Sequence, residues 1–90
     1  MRSRKTKVDP ILRSIQREDM RALRSALDRG LSIETPDRMG RTPLINASID
    51  GFTEMVKELV IRGANVNAID EHQESALHHA ARNFHLDIAK

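Results

Sequence analysis

The sequence predicts an all-α fold, a solenoid of stacked helix-turn-helix units joined by extended loops. Three observations carry the prediction. Displaced by 33 residues, the chain brings Asp37 onto Asp70, Thr42 onto Ser75, Leu44 onto Leu77, Ala47 onto Ala80 and Met55 onto Ile88. Displaced the other way, it sets Gly63 on Gly30, Val66 on Ile33, Leu59 on Ala26 and Val56 on Leu23, so the unit occurs three times, the last copy short. Hydrophobic residues make up 39% of the chain but aromatics only 2%, which leaves Leu, Ile, Val, Met and Ala to build a core better suited to helices than to a β-sandwich. Thr-Pro and Asp-Pro pairs, with glycines after apolar stripes, punctuate the copies as helix starts and stops.

Taken in order, Asp9-Pro10 opens a helix predicted over 10–17, and a second follows over 20–29 before Gly30. In the central copy Thr42 caps and Pro43 begins a helix over 43–50, whose inner face is Leu44, Ala47 and Ser48 and which Gly51 ends. Thr53 stands as the cap of the next helix, over 53–62. Met55, Val56, Leu59 and Val60 form its buried stripe, Glu58 and Arg62 pair at i, i+4, and Gly63 stops it. Ala64 to Asp70 is a run of turn formers leading into the third copy. There Ser75 opens a helix over 76–82, and a final stub begins near residue 86.

A 33-residue period with Thr42-Pro43-Leu44, Gly63-Ala64-Asn65-Val66-Asn67-Ala68 and Ser75-Ala76-Leu77-His78-His79-Ala80-Ala81 resembles the ankyrin repeat. The resemblance spans residues 8–90 as one domain: an N-terminal capping repeat over 8–36, a full repeat over 37–69 and a shortened one over 70–90, preceded by a basic flexible tail at 1–7. Three departures stand out. Glu18 takes the place of a family Gly, Ile45 that of the family His, and Phe84 that of the Gly ending the first helix of a copy. At the end of the chain Leu77, Ala80, Ala81, Phe84, Leu86 and Ile88 have no following helix to cover them.

The chain has 90 residues and a net charge of +2, yet four of its 15 basic side chains (Arg2, Arg4, Lys5 and Lys7) lie in the first seven residues. The remainder carries 11 bases against 13 acids, so no basic stripe is expected on the folded face, and aromatics for base stacking are scarce. Nucleic acid is an unfavoured partner. No cysteine is present, which removes disulfides, thiol nucleophiles and Cys-ligated metals and suits an intracellular protein, cytoplasmic with the nucleus also open. The longest strictly aliphatic run is Leu59-Val60-Ile61, far short of a membrane span.

Chemistry finds no foothold in the pattern. His78 and His79 point about 100° apart on a helix, and His85 and Asp87 lie beyond the expected break, so no metal is expected. His78 belongs instead to a hydrogen-bonding pair with Ser75, and His72 to a solvated loop. Asp70/Glu71 and Glu18/Asp19 sit at turns and helix starts, where acids favour the helix dipole without catalytic work. The hydroxyls of Thr42, Thr53 and Ser75 occupy capping positions, and the glycines are too far apart for a phosphate loop. The expectation is a non-enzyme with no cofactor.

A binding surface remains. The ankyrin resemblance implies partner contacts from hairpin tips and first helices, through Arg38, Met39, Arg41, Ile49 and Asp50 in the central copy and Glu71, His72, Glu74, Arg82 and Asn83 in the next. Met39 and Ile49 are the apolar members expected to face solvent. Two functions stay open: a module that binds a partner protein on this concave strip, or an assembly unit that pairs, even with its own kind end to end, through the open C-terminal end.

Overall fold

The computed structural model describes residues 9–83. Asp9 begins the first helix as its chemistry requires, its carboxylate accepting from Ile11 N and Leu12 N at 3.2 Å each, with Pro10 preset at the first helical position. That helix, α1 (Pro10–Gln16), turns into α2 (Met20–Asp28), which Asp19 caps through Ala22 N at 3.0 Å. The central copy holds α3 (Pro43–Asp50), capped by Thr42 Oγ1 on Ile45 N at 3.3 Å, and α4 (Thr53–Ile61). In the third copy α5 (Ala76–Arg82) starts at a reciprocal cap, in which Ser75 N donates to His78 Nδ1 at 3.0 Å and His78 N to Ser75 Oγ. No strand occurs among the described residues, and no helix among them is long and apolar enough to cross a membrane. The stub expected near residue 86, the departure at Phe84 and the basic tail lie outside the described residues.

The helices over 43–50 and 76–82 form where the sequence places them, while α1, α2 and α4 each end one residue early. In all three an arginine (Arg17, Arg29 or Arg62) follows the last helical residue and stands as the C-cap, with ψ between 0° and 9°. The expected capping role of Thr53 is corrected. Gly51 closes α3 in the left-handed region (φ 74°) and Phe52 N turns back to Ala47 O at 3.0 Å, so the turn ends on Phe52 and Thr53 is already the first residue of α4. One period earlier Glu18 takes the same left-handed geometry (φ 53°) without being a glycine, at a cost of about 1–2 kcal/mol. Gln73 (φ 65°) likewise stands in for Gly40 (φ 77°).

The inner row of the solenoid is α1, α3 and α5, because α3 packs against α1 on one side and α5 on the other, with α4 behind it and α2 behind α1. Ser14, Ala47 and Ala80 recur at one-period spacing in that row and are all buried, small enough for neighbouring helices to close up. Behind them Ile11, Ile15, Leu23, Ile45, Met55 and Leu59 form the fully buried core. Ile45, at the family's histidine position, is one of its members. Val60 departs from the expected stripe: it is 45% exposed and lines a hollow shared with α3 and α5. On the outer face Arg62 bonds Asp28 at 2.6 Å and Glu58 at 2.8 Å, and Arg24 meets Glu58 at 3.4 Å, tying α2 to α4. Such exposed pairs contribute little each, and they act here as a network across the repeat boundary.

Candidate partner-binding surface

Each hairpin loop is organised by one aspartate. In the central copy Asp37 Oδ1 accepts from Met39 N at 2.9 Å and Arg41 N at 3.0 Å, while its Oδ2 takes Asn46 Nδ2 of α3 at 3.2 Å. Backbone bonds Asp37 N to Arg41 O and Gly40 N to Asp37 O close the turn. One period on, Asp70 repeats the arrangement: Oδ1 accepts from His72 N at 2.8 Å and Glu74 N at 3.1 Å, and Oδ2 accepts from His79 Nε2 of α5 at 2.9 Å. The two hairpins are then joined by Glu71 N donating to Met39 O at 3.1 Å. That bond explains Gly40, where a Cβ would come within 3.1 Å of Glu71 N.

Two tips therefore project side by side on a fixed base. Arg38 and Met39 on one, Glu71 and His72 on the other, are exposed, as is Asp50 at the end of α3. Ile49 corrects the expectation that it faces solvent, for it is half-buried and packs on the core, one turn beyond buried Ile45. Arg41, Glu74, Arg82 and Asn83 belong as much to the scaffold as to the surface. Arg41 Nε is shielded from water and lies 3.7 Å from Asp70 Oδ2, a charge contact too long for a hydrogen bond. Arg82 grips the Glu74 carboxylate with both terminal nitrogens, and Asn83 Nδ2 donates to Ile49 O of the preceding copy at 3.4 Å.

The residue that sequence reasoning missed is His79, a buried side chain that anchors Asp70 and also lies 3.5 Å from Glu74. Hydrogen bonds from His79 first, then from the Glu74 and His72 amides, hold the Asp70 carboxyl far below its ordinary range. Arg82 lowers Glu74 in the same way. Asp70, Glu74 and His79 bring a possible ligand atom each within 4.8 Å of one another. A cation there would compete with the positive charges of Arg41 and Arg82, and Asp70 already accepts three hydrogen bonds. The cluster is built as an ion-pair anchor.

A second feature is a hollow of about 280 Å³ among α3, α4 and α5, lined by Leu44, Val56, Val60, Val66, Ala76 and Leu77. Leu77 is 57% exposed and Ala81 is exposed as well; Leu86 and Ile88 lie outside the described residues.

Comparison with known proteins accords with this architecture. The chain matches the family model of ankyrin repeats, in three copies, over residues 11–90. It is 45% identical over 56 residues to a mouse B-cell lymphoma 3 protein homolog, covering 61% of this chain and 12% of that protein. It is 31% identical over 80 residues to a putative E3 ubiquitin-protein ligase of Arabidopsis thaliana, covering 86% of this chain and 21% of the ligase. With a neurogenic locus notch homolog protein 1 of Xenopus tropicalis the identity is 48% over 50 residues, covering 56% and 2%. The chain thus spans about a fifth or less of these relatives. The period, the helix pairs and the aspartate-clamped hairpins agree with the family match, and the chain belongs to the ankyrin-repeat family.

Proposed function

We propose that the chain is a non-catalytic module that binds a partner protein through its hairpin tips and the adjoining face of α3 and α5, in an intracellular, cytoplasmic setting. Ankyrin repeats are general protein–protein interaction modules, which sets the class of function. The observation that supports this particular surface is the bond between Glu71 N and Met39 O, flanked by the two aspartate clamps. It holds an apolar side chain, two cationic or ionisable groups and a carboxylate on one rigid base, so a partner meets them without the entropy cost of ordering a loop. Met39, 38% exposed, is the apolar anchor, and Arg38, Glu71 and His72 supply directional charge and hydrogen bonding. Arg41, Glu74, Arg82, Asn83, Ile49 and Asp50 frame them.

The test is affinity capture from cell extract with wild-type and variant chains. Met39→Glu and Arg38→Glu are expected to leave the circular dichroism spectrum and unfolding midpoint nearly unchanged while weakening the captured complex about ten-fold or more. Lys57→Glu, on the exposed outer side of α4, is expected to leave capture intact. Equal capture by all variants would move the interface elsewhere.

The hollow among α3, α4 and α5 supports a second reading, assembly through the C-terminal repeat with another chain or a second copy. Sedimentation across a concentration series tests it. Association that Leu77→Glu abolishes is the expected result, and a chain that stays monomeric at high concentration would remove self-association.

A further inference from the structure

Most of the described arginines that lack an ion pair lie in the first helix pair. Arg24, Arg41, Arg62 and Arg82 each face an acid, whereas Arg13, Arg17, Arg21 and Arg29, and outside that pair only Arg38, have no ion-pair partner among the described residues. The charge count over residues 8–90 hides this cluster, because acids elsewhere cancel it, and the expectation of no basic stripe on the folded face is corrected here. Three of the four border a groove of about 250 Å³ between α1 and α2. Arg13 and Ser14 come from α1, Arg17 from its C-cap, Ser25 from α2 and Arg29 from its C-cap, with Asp19 as the one acid. The Asp19 carboxylate is engaged on Ala22 N. Arg21 adjoins the same face through a shallower depression shared with Arg29.

A repeat face left in water needs polar side chains for solubility, which mixed charges would supply. Solubility does not call for arginines crowded without counter-ions, and the i, i+4 pair Arg13 and Arg17 is mutually repulsive. We propose that this groove binds an acidic peptide segment, rich in Asp and Glu, of a partner protein. The proposal takes the class of occupant from the reading of the chain as a protein-binding module. Guanidinium groups on two antiparallel helices match carboxylates spaced along an extended peptide, each able to accept two parallel hydrogen bonds. A nucleic acid fits less well: no aromatic side chain lines the groove for stacking, and the basic surface does not continue onto the third copy, where Glu71 and Glu74 lie.

The experiment is a fluorescence-anisotropy titration of a labelled hexaglutamate peptide into the full chain at low and high salt. Saturable, salt-weakened binding is expected. Arg13→Ala with Arg29→Ala is expected to weaken it about ten-fold or more, since each lost hydrogen bond to a charged group is worth about that factor. The charge controls Arg38→Ala and Met39→Glu are expected to leave it unchanged, so failure of this groove and failure of the hairpin surface are read separately. A full chain with Arg2, Arg4, Lys5 and Lys7 all changed to Gln controls for the tail. The proposal is overturned if hexaglutamate does not bind saturably. It is equally overturned if the tail variant loses the binding that the Arg13/Arg29 variant keeps, or if a labelled single-stranded oligonucleotide binds more tightly than the peptide.

Discussion

Truncating Leu59 to Ala is expected to cost about 2–5 kcal/mol. Leu59 is fully buried and packs in one cluster with Met55, Ile45 and Leu23, so its removal leaves a cavity shared by two repeats. A solenoid of this size has few other contacts to offset it, because each unit depends on its neighbour for burial. For a domain of such length a loss of that order lowers the thermal midpoint by about 10 °C or more. Met39→Ala serves as the surface control and is expected to stay within about 0.5 kcal/mol. Urea and thermal unfolding of the two variants check the pair, and equal effects would contradict the assignment of inside and outside.

The second large effect lies at the Asp70 anchor. His79→Ala removes the imidazole from a buried carboxylate and is expected to cost about 1–3 kcal/mol, the usual penalty for a buried group left without its partner. The same variant changes the acid response. Asp70 is held below its ordinary value of 3.8 by His79 above all, and Glu74 and Glu58 below 4.5 by Arg82 and Arg62. A carboxylate with a depressed native pKa adds stability above its unfolded value and loses it as the pH falls through the native one. Wild-type stability is therefore expected to hold above about pH 5 and to decline progressively below pH 4.5. In His79→Ala the decline is expected to be shallower, since Asp70 has lost the largest cause of its shift. Unfolding midpoints at a series of pH values from 3 to 7 measure both slopes, and parallel curves would show that His79 does not set the Asp70 equilibrium.

Much of the fold was legible because it is written in local chemistry. Thr42-Pro43, Asp9-Pro10 and Ser75 are caps whose effect needs only the next three residues, and Gly51 and Gly63 end helices by adopting left-handed geometry at no steric cost. The register of 33 residues carried the rest, even to Glu18, which keeps the left-handed turn at a family glycine position. Features that depend on contact between distant segments were harder to see. Asp37 and Asp70 coincided at that offset, and Asn46 and His79 follow them by the same nine residues, but only the folded hairpin shows each pair bonded. Ile49 was placed outside because the ankyrin resemblance assigns its position to the surface, although its i, i+4 spacing from Ile45 already marked the buried side. Arg41, Glu74 and Arg82 look like free charges in a sequence; stacking of the copies brings Arg41 to Asp70, and the return of the third hairpin onto α5 brings Glu74 to His79 and Arg82. The arginine groove was invisible to a charge count because counting discards position.

Partner binding through the hairpin tips is tested most directly by site-specific photocrosslinking in cell extract. A benzophenone side chain is placed either at position 39, on the first tip, or at position 57, on the exposed outer side of α4. The expected result is a discrete crosslinked protein from position 39 that is absent from position 57 and lost when Glu71→Lys is added. Crosslinks from position 57 alone, or an identical pattern from both positions that ignores Glu71→Lys, would contradict the account.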